Sequence, residues 1–408
     1  MARRALVVGG SIAGLFAANA LRRIGWEATV FERVGEPLSG RGAGIGTHGE
    51  LIDALRRLEV PVDDTIGVRV ATRVCLDRGG RVTHRLSTPQ LQSSWGRIYS
   101  LLKDALPASS YRPGMALERF EQDASGVTAT FSDGTRERGD LLVGADGIRS
   151  TVRALLWPQA QPRYAGYVAW RGLVDEAAFP LEIHEQMFEQ YAMCLPDGEM
   201  MLTYPVPGRD NDTRPGRRCY NLIWYRPTDY HGTLPELCTD ATGRCHGTSI
   251  PPPLLRPEVA ARVRADARAL LAPQIAALVE LVEPLFFQAI FDLESPRMAL
   301  GRVALAGDAA FVARPHVGVG VTKAALDAES LARELGAAAG VESALDAYDR
   351  RRRPLGEGLV ARARRLGAYI EARLKPPAER APSDRQPPPE FLLREIGAIS
   401  LSRGQLMG

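Results

Sequence analysis

The order of apolar and polar residues along the chain predicts a mixture of strands and helices. Three short apolar runs, at 5–8, 141–143 and 303–306, each lead into a turn that contains glycine and a small polar or acidic residue. Such runs are typical of strands buried on both faces of a parallel sheet. Elsewhere, β-rich segments predict strands and Ala/Leu/Arg-rich segments predict helices. The predicted strand regions are 68–88, 111–143 and 165–228, and the predicted helices are 49–59, 95–106, 256–282 and 342–374.

The first apolar run continues into a glycine motif that predicts a dinucleotide site rather than a plain strand–helix turn. A glycine after the strand permits a tight turn, and the following helix N-terminus offers free N–H groups to a pyrophosphate. Glu32 ends the next strand, about 20 residues on, where an acid can accept from a ribose hydroxyl. Arg33 either reaches an adenosine phosphate or ribose or is a solvated charge. The motif residues are Gly9, Gly10, Ser11, Ile12, Ala13 and Gly14.

One residue departs from the usual glycine pattern of this motif. Ser11 occupies the second glycine position, where the backbone must approach phosphate. Serine is the smallest polar replacement, so we expect the loop to keep its function.

Three more glycine-containing segments carry candidate chemistry. Asp146-Gly147 and Gly307-Asp308 follow the second and third apolar runs. A loop at 40–46 is so rich in glycine that we expect its backbone to lie directly against a ligand. The candidate binding residues in this loop are Arg41, Gly42, Ala43 and Gly44.

Segments 141–153 and 301–332 resemble the second and third fingerprints of the class A flavoprotein aromatic hydroxylases, the para-hydroxybenzoate hydroxylase family. The resemblance covers most of residues 1–365 and is greatest to the 2,6-dihydroxypyridine 3-hydroxylase branch. It implies FAD as cofactor and NAD(P)H as co-substrate. It also implies that Asp308 binds ribityl or ribose hydroxyls and that Asp146-Gly147 supports the pyrophosphate region and the nicotinamide donor. The residues it places beside the flavin ring are Pro315, Gly318, Val319 and Gly320.

Pattern and resemblance together predict an α/β fold of mixed type. It consists of a Rossmann-like FAD-binding domain, an inserted antiparallel β-sheet substrate domain and C-terminal helices. The predicted limits are 1–70, 95–165 and 290–335 for the FAD-binding domain, 71–94 and 166–289 for the substrate domain, and 336–408 for the helical region.

The resemblance implies a monooxygenase that hydroxylates a small electron-rich aromatic or heteroaromatic ring with NAD(P)H and O2, through a flavin C4a-hydroperoxide. Only one G-x-G-x-x-G-like loop opens a βαβ unit and no C-x-x-C pair is present, so we expect the reductant to visit transiently. The alternatives are a flavin-dependent oxidase or halogenase, and a catalytically silent flavoprotein that sequesters a reactive intermediate. The halogenase W-x-W-x-I-P signature is absent from the sequence.

Three residues are candidates for substrate activation, which needs a basic or hydrogen-bonding group in the pocket. His48, just past the glycine-rich loop, is either a substrate-side base or a helix N-terminal residue. His316, next to Pro315, either contacts substrate or flavin or is a loop histidine bonded to backbone. Tyr204 either hydrogen-bonds to substrate or lies in the core. Arg171 could steer an anionic substrate or form a structural ion pair.

Two positions depart from the wider family, and each leaves one cofactor contact in question. Tyr99 replaces the arginine that starts an R-x-x-L helix, if Leu102 is the matching leucine, and Arg97 is an open candidate to substitute for it. Thr322 replaces the usual asparagine after G-x-G-x.

Charge and cysteine content argue against a nucleic-acid-binding, membrane-binding or disulfide-rich protein. A net charge of +3 from 51 basic and 48 acidic residues is too small to indicate nucleic acid or membrane as partner. The five cysteines are scattered and odd in number, which favours reduced thiols over disulfides. The near-cluster Cys238, Cys245 and His246 is a weak metal candidate, so we predict no metal. The run 350–353, four arginines, is expected to be an exposed helix end.

The cellular location is predicted from the lack of sequence signals for membrane insertion or export. No stretch of about 18 apolar residues is present, and the N-terminal apolar run is too short for a signal peptide. We therefore expect a cytoplasmic protein, and a homodimer is left open.

Overall fold

The computed structural model describes residues 2–38 and 44–397, which form 18 strands and 11 α-helices. The strands are β1 (Arg4–Val8), β2 (Glu27–Glu32), β3 (Gly44–Thr47), β4 (Val68–Leu76), β5 (Val82–Ser94), β6 (Tyr111–Pro113), β7 (Leu117–Asp123), β8 (Gly126–Phe131), β9 (Arg136–Gly139), β10 (Leu141–Gly144), β11 (Arg163–Asp175), β12 (Gln190–Cys194), β13 (Met200–Val206), β14 (Cys219–Pro227), β15 (Phe286–Glu294), β16 (Ala299–Leu300), β17 (Val303–Leu305) and β18 (Phe311–Val312). The helices are α1 (Ile12–Arg23), α2 (Gly49–Arg57), α3 (Trp95–Asp104), α4 (Thr151–Leu156), α5 (Leu181–Met187), α6 (Thr233–Leu237), α7 (Pro257–Leu270), α8 (Pro273–Glu280), α9 (Gly320–Ala337), α10 (Val341–Glu371) and α11 (Pro389–Glu395).

The three apolar runs form adjacent parallel strands, as the pattern predicts. The six-stranded sheet has the order β16-β17-β10-β1-β2-β6, and all of its neighbours except β16 and β17 are parallel. Leu6, Val7 and Leu142 are fully buried because helices α1 and α9 and the small sheet β7-β8-β9 cover the central strands. The carboxyl ends of β1, β10 and β17 therefore lie side by side.

A nine-stranded sheet, in the order β18-β15-β11-β14-β13-β12-β4-β5-β3, forms the second layer. The prediction of an antiparallel sheet holds for every pair of neighbours except β12 and β4, which are parallel. The sheet contains β3 and the first residues of β4, which lie within 44–70, and β18, which lies near residue 311. Both segments fall within ranges predicted to belong to the FAD-binding domain. We call the face that carries Tyr167, Tyr191, Tyr204 and Tyr225 the inner face.

The inner face is covered by C-terminal elements. Helix α10 packs on it through residues such as Leu359 and Leu366, and α11 adds Leu392 and Leu393. Helix α10 runs unbroken through Pro354. The arginine run at 350–353 therefore lies inside a helix rather than at its end. The prediction that the whole run is exposed is wrong for Arg352. This residue is only 7% exposed, because its side of α10 faces α9.

Candidate cofactor and substrate site

The three glycine motifs surround one cavity of about 550 Å³, which we call the cofactor cavity. It lies at the carboxyl ends of β1, β10 and β17, where parallel sheets commonly bind ligands. Its lining includes Val8, Gly9, Ser11, Ile12, Ala13, Glu32, Arg33, Leu38, Trp95, Met115, Leu117, Asp146, Gly147, Arg149, Thr151, Asp308, Gly320, Val321 and Ala324. Residues far apart in the chain are thus assembled around an elongated space.

Two glycines allow the motifs to touch through their backbones. Gly9 has φ +109°, and a Cβ there would lie 2.4 Å from the carbonyl oxygen of Ala145. Gly307 has φ +59°, and a Cβ there would lie 2.6 Å from the methyl group of Ala13. Neither conformation nor spacing admits a side chain without strain. The first motif therefore lies directly against the other two, against the Ala145 backbone at Gly9 and through the small Ala13 methyl group at Gly307.

Ser11 fits the turn because its backbone needs no glycine conformation. It is the N-cap residue of α1, with φ −84° and ψ −173°, and it lines the cofactor cavity. The free N–H groups of the first helical turn therefore remain available to an anion. Gly10 and Gly14 are not part of the lining.

Three carboxylates, those of Glu32, Asp146 and Asp308, and two arginines, Arg33 and Arg149, line the cofactor cavity. Glu32 accepts hydrogen bonds from the Gly10 N–H at 2.7 Å and the Val34 N–H at 2.9 Å. Asp308 forms no hydrogen bond with any described residue, and its side chain is exposed to the cavity. The surrounding protein partly removes its carboxyl from water and raises its pKa, an effect that the charge of Lys323 opposes. Arg33 and Arg149 are exposed and form no ion pair within the described chain. The cavity thus offers acceptors for hydroxyls and cations for phosphates.

The second motif is fixed by hydrogen bonds of its own. The Asp146 carboxylate accepts from the backbone N–H groups of Thr151, at 2.7 Å, and Val152, at 3.2 Å, and so caps helix α4. Arg153, which is 3% exposed, donates to the carbonyl oxygens of Ile148, Ala160 and Ala309. Arg153 therefore ties the second motif to the third. The predicted role for Asp146 did not include capping, and Arg153 was not identified as a candidate.

A buried charge network that we call the Lys323–Asp327–Arg352 triad holds the third motif. Asp327 accepts from Lys323 Nζ at 2.7 Å, Arg352 Nε at 2.8 Å and the Gly307 N–H at 3.0 Å. Lys323 also donates to the Gly307 carbonyl oxygen at 2.9 Å. Burial alone would raise the pKa of Asp327, but the two cations outweigh it and lower that pKa. The i, i+4 spacing of the first two residues was visible in the sequence, whereas Arg352 arrives from another helix.

The aromatic start of α3 occupies the place where the family arginine was expected. Tyr99 is buried and stacks on Trp95 with ring centroids 4.9 Å apart. The guanidinium of Arg97, the open candidate to substitute for the family arginine, donates to Thr65 at 2.8 Å, and Arg97 is not part of the cofactor-cavity lining. Trp95 does line the cavity, although the sequence analysis did not single it out.

A second cavity, of about 650 Å³, has Trp95 as a lining residue in common with the cofactor cavity. Its other walls include Gly44 of β3 and the side chains of Leu173, Val206 and Phe286 from the nine-stranded sheet. Of the glycine-rich loop, only Gly44 and the residues after it are described; Gly40, Arg41, Gly42 and Ala43 lie outside the described residues.

The structure places the three substrate-activation candidates in different surroundings. His48 lines a third cavity, of about 670 Å³, and its Nδ1 lies 3.1 Å from the Thr322 hydroxyl. Burial lowers the pKa of His48. Thr322, which replaces the family asparagine, thus contacts His48 and ties α9 to α2.

His316 is enclosed by aromatic rings of the inner face. Its Nε2 lies 2.9 Å from the Tyr167 hydroxyl, its ring lies edge-on to Tyr225, and its Nδ1 has no described partner. Burial, with a contribution from Arg314, lowers the pKa of His316 to about 3. The imidazole is therefore neutral at physiological pH, with one nitrogen engaged by Tyr167.

Tyr204 lies on the inner face next to β3. Its ring stacks on Tyr191, with centroids 5.0 Å apart, and its hydroxyl lies 3.4 Å from the Gly44 carbonyl oxygen. Burial raises the pKa of Tyr204 to about 12, so the phenol is protonated and can donate a hydrogen bond. Gly44 is packed against the Tyr204 ring and against Asn221.

The remaining candidates belong to the loop before α9. Pro315 begins a short turn, and Gly318 lies directly against the backbone of Gly397, whose N–H donates to the His316 carbonyl oxygen at 3.0 Å. Gly320 lines the cofactor cavity, whereas Pro315, Gly318 and Val319 do not. The C-terminal segment thus lies over this loop.

Metal ligands and membrane spans were also sought among the described residues. No group of three or more His, Cys, Asp or Glu side chains there is arranged to hold a metal ion. His246 Nε2 instead lies 2.7 Å from Asp240. None of the described helices combines the length and apolar character that a membrane crossing needs.

Comparison with known proteins identifies the fold and the family of the chain. A family described as FAD binding domain-like matches residues 164–292, and one described as FAD binding domain matches residues 292–363. The 2,6-dihydroxypyridine 3-monooxygenase of Paenarthrobacter nicotinovorans is 31% identical over 369 residues, which cover 90% of this chain and 91% of the relative.

Solved structures agree with the sequence relatives. The 2,6-dihydroxypyridine-3-hydroxylase from Arthrobacter nicotinovorans superimposes with a TM-score of 0.85 at 30% identity, covering 95% of this chain and 97% of that one. Klebsiella pneumoniae HpxO complexed with FAD and uric acid has a TM-score of 0.72 at 26% identity, covering 91% and 90% of the two chains.

A parallel sheet whose carboxyl edge carries three glycine motifs, packed against a large second sheet, defines an FAD-dependent flavoprotein. The chain belongs to the para-hydroxybenzoate hydroxylase-like class A flavin monooxygenases. It is an FAD-dependent aromatic-ring monooxygenase, and NAD(P)H is the co-substrate typical of the family.

Proposed function

We propose that the cofactor cavity holds FAD and that the ring to be hydroxylated lies between the glycine-rich strand β3 and the inner face. The observation that supports this most is that three distant motifs line one cavity, and that Trp95 is shared between its lining and that of a second cavity. The N-terminus of α1, together with Arg33 and Arg149, would bind the phosphates, and Glu32 and Asp308 would accept from sugar hydroxyls. The loop 315–320 and Gly44 would flank the flavin ring.

The residues around the substrate would orient it and exclude water. Bound FAD supplies the acceptor for hydride from NAD(P)H and the means of activating O2. Tyr204 would donate a hydrogen bond from its protonated hydroxyl to a ring substituent, which orients the ring. The neutral His316 would hold the Tyr167 hydroxyl in one orientation through the hydrogen bond between them. We propose that His48, which lines the third cavity, is a proton acceptor through its Nε2, which makes no well-formed hydrogen bond with a described residue.

The substrate class is a small planar electron-rich ring with ionisable substituents. Two relatives bear names that refer to a dihydroxypyridine and an aminohydroxybenzoate. The second cavity has an apolar wall that suits a planar ring, formed by Leu173, Val206 and Phe286. A screen of hydroxypyridines and hydroxybenzoates, scored by product mass, tests this choice. A mass gain of one oxygen is required, because NAD(P)H consumption without it indicates loss of oxygen as peroxide.

Substitution of the two carboxylates tests the cofactor assignment. Asp308→Ala and Glu32→Ala should each weaken FAD binding by about tenfold or more, because each removes a charge-assisted hydrogen bond of roughly 1.5–3 kcal/mol. FAD content after gel filtration and titration of the apoprotein measure the effect. Asp346→Ala is the control, since Asp346 forms an exposed ion pair with Arg297. Wild-type FAD affinity in both variants would refute the assignment.

A further inference from the structure

Arg171 lies on the inner face without a partner. It belongs to β11, pairs in register with Ile223 and Phe286, and points to the same side of the sheet as Tyr167. Its side chain is half-buried and its Nε is sealed, yet it forms no ion pair or hydrogen bond with any described residue. The acid of this strand that shares its face, Asp175, is four residues away, roughly 13 Å along the strand, and contacts Cys219 and Arg209 instead.

The groups around Arg171 are polar but uncharged. Asn221, diagonally opposite on β14, is 1% exposed; its amide approaches the Tyr204 hydroxyl closely enough to lower the pKa of that group, but neither amide atom makes a well-formed hydrogen bond with a described residue. Tyr204 stands directly across from Asn221, and Tyr225 lies on the other side of Ile223. Burial dominates the raised pKa of Tyr204, and the charge of Arg171 opposes that rise, so the guanidinium acts on this phenol.

These unpartnered groups are unfavourable in the absence of a ligand. A buried amide without hydrogen bonds destabilises a fold, and so does a half-buried cation without an anion. Buried polar groups without partners are rare in native structures, and a bound molecule is one way in which they obtain a hydrogen-bond partner. A ligand with an anionic oxygen next to a second hydrogen-bonding group would pair with both the Arg171 guanidinium and the Asn221 amide.

The second cavity adjoins this pair through their strand neighbours, although neither Arg171 nor Asn221 is among its lining residues. Leu173, next but one to Arg171 along β11, and Phe286, its neighbour on β15, both line that cavity. Trp95 lines both this cavity and the cofactor cavity. A ring in this space would lie between Trp95 and the strand that carries Arg171.

Building on the proposed function, we propose that Arg171 and Asn221 determine substrate specificity by binding an anionic oxygen on the ring, a carboxylate or an ionised hydroxyl. The Arg171 guanidinium supplies the charge, and the Asn221 amide donates to the anionic oxygen or bonds to the substituent beside it. The pair holds that edge of the ring away from the cofactor, so the opposite edge is presented for hydroxylation.

The test compares charged and neutral rings on Arg171 variants of the FAD-loaded protein. The probes are salicylate against salicylamide, and 4-hydroxybenzoate against 4-hydroxybenzamide, with dissociation constants read from the absorbance change of bound FAD. Arg171→Gln should weaken binding of each anion tenfold or more and change binding of each amide less than twofold. Arg171→Lys should retain part of the preference. Arg163→Gln is the matched control, because Arg163 is an exposed arginine on the same strand with no described partner.

The outcomes separate this proposal from the proposed function. Equal weakening of anion and amide would indicate a structural role and overturn the assignment, as would unchanged binding of the anions. A wild-type protein that binds only the neutral rings would also overturn it, even where it hydroxylates them and the proposed function stands. Where turnover is measurable, Arg171→Gln should raise KM for the anionic ring more than it lowers kcat. Loss of FAD from the wild-type protein would instead count against the proposed function.

Discussion

Asp327→Asn should destabilise the protein strongly and weaken FAD binding at the same time. Asp327 is the shared partner of two buried cations, because the side chains of Lys323 and Arg352 are 3% and 8% exposed. An asparagine keeps the shape but removes the charge, so both cations would remain buried without an anion. Breaking buried pairs in this way costs about 3–5 kcal/mol, a large share of the roughly 5–15 kcal/mol of a typical folded domain.

The effect on FAD follows from the hydrogen bonds to the third motif. Asp327 accepts from the Gly307 N–H, and Lys323 donates to the Gly307 carbonyl oxygen. Gly307 directly precedes Asp308, so a loosened turn would misplace the carboxylate proposed to bind the cofactor. We expect weaker FAD binding even under conditions in which the variant remains folded.

Urea unfolding followed by circular dichroism, with and without added FAD, measures the first effect, and titration of the apoprotein measures the second. Asp346→Asn, at the exposed pair with Arg297, is the control and should unfold close to the wild type. The triple variant Lys323→Met, Asp327→Leu, Arg352→Met removes all three charges and should recover much of the lost stability. An Asp327→Asn protein that unfolds at the wild-type urea concentration would refute the reasoning.

Two further predictions concern the backbone turn and the buried histidine. Gly307→Ala should destabilise the fold by about 1 kcal/mol or more and weaken FAD binding, because φ is +59° and Ala13 leaves no room; a wild-type melting temperature would contradict this. The pKa of His316, about 3, lies below its ordinary unfolded value near 6.5, so the unfolded state binds an extra proton between these values. Stability should therefore fall as pH decreases from about 6.5 toward 3, and His316→Asn should flatten that slope in urea melts, whereas an unchanged slope would count against a buried neutral imidazole.

The sequence was enough to predict the parts of the molecule that depend on neighbouring residues. The apolar runs at 5–8, 141–143 and 303–306 form parallel strands, because a strand buried on both faces requires an unbroken apolar stretch. The turns after them carry glycine where the backbone has positive φ, as at Gly9 and Gly307. Turn chemistry and burial pattern are local properties, and so the family resemblance and the FAD-dependent class could be inferred from the residues alone.

The tertiary structure decided which distant groups meet. No sequence spacing shows that Arg352, from a run expected to be exposed, pairs with Asp327. Nor does spacing show that Arg97 binds Thr65 while Trp95 lines the cofactor cavity. The neutral state of His316 and the unpartnered state of Arg171 belong to the same kind of property. Charge and hydrogen bonding depend on distances between side chains and on their removal from water, and only the packing of helices and sheets against one another sets these.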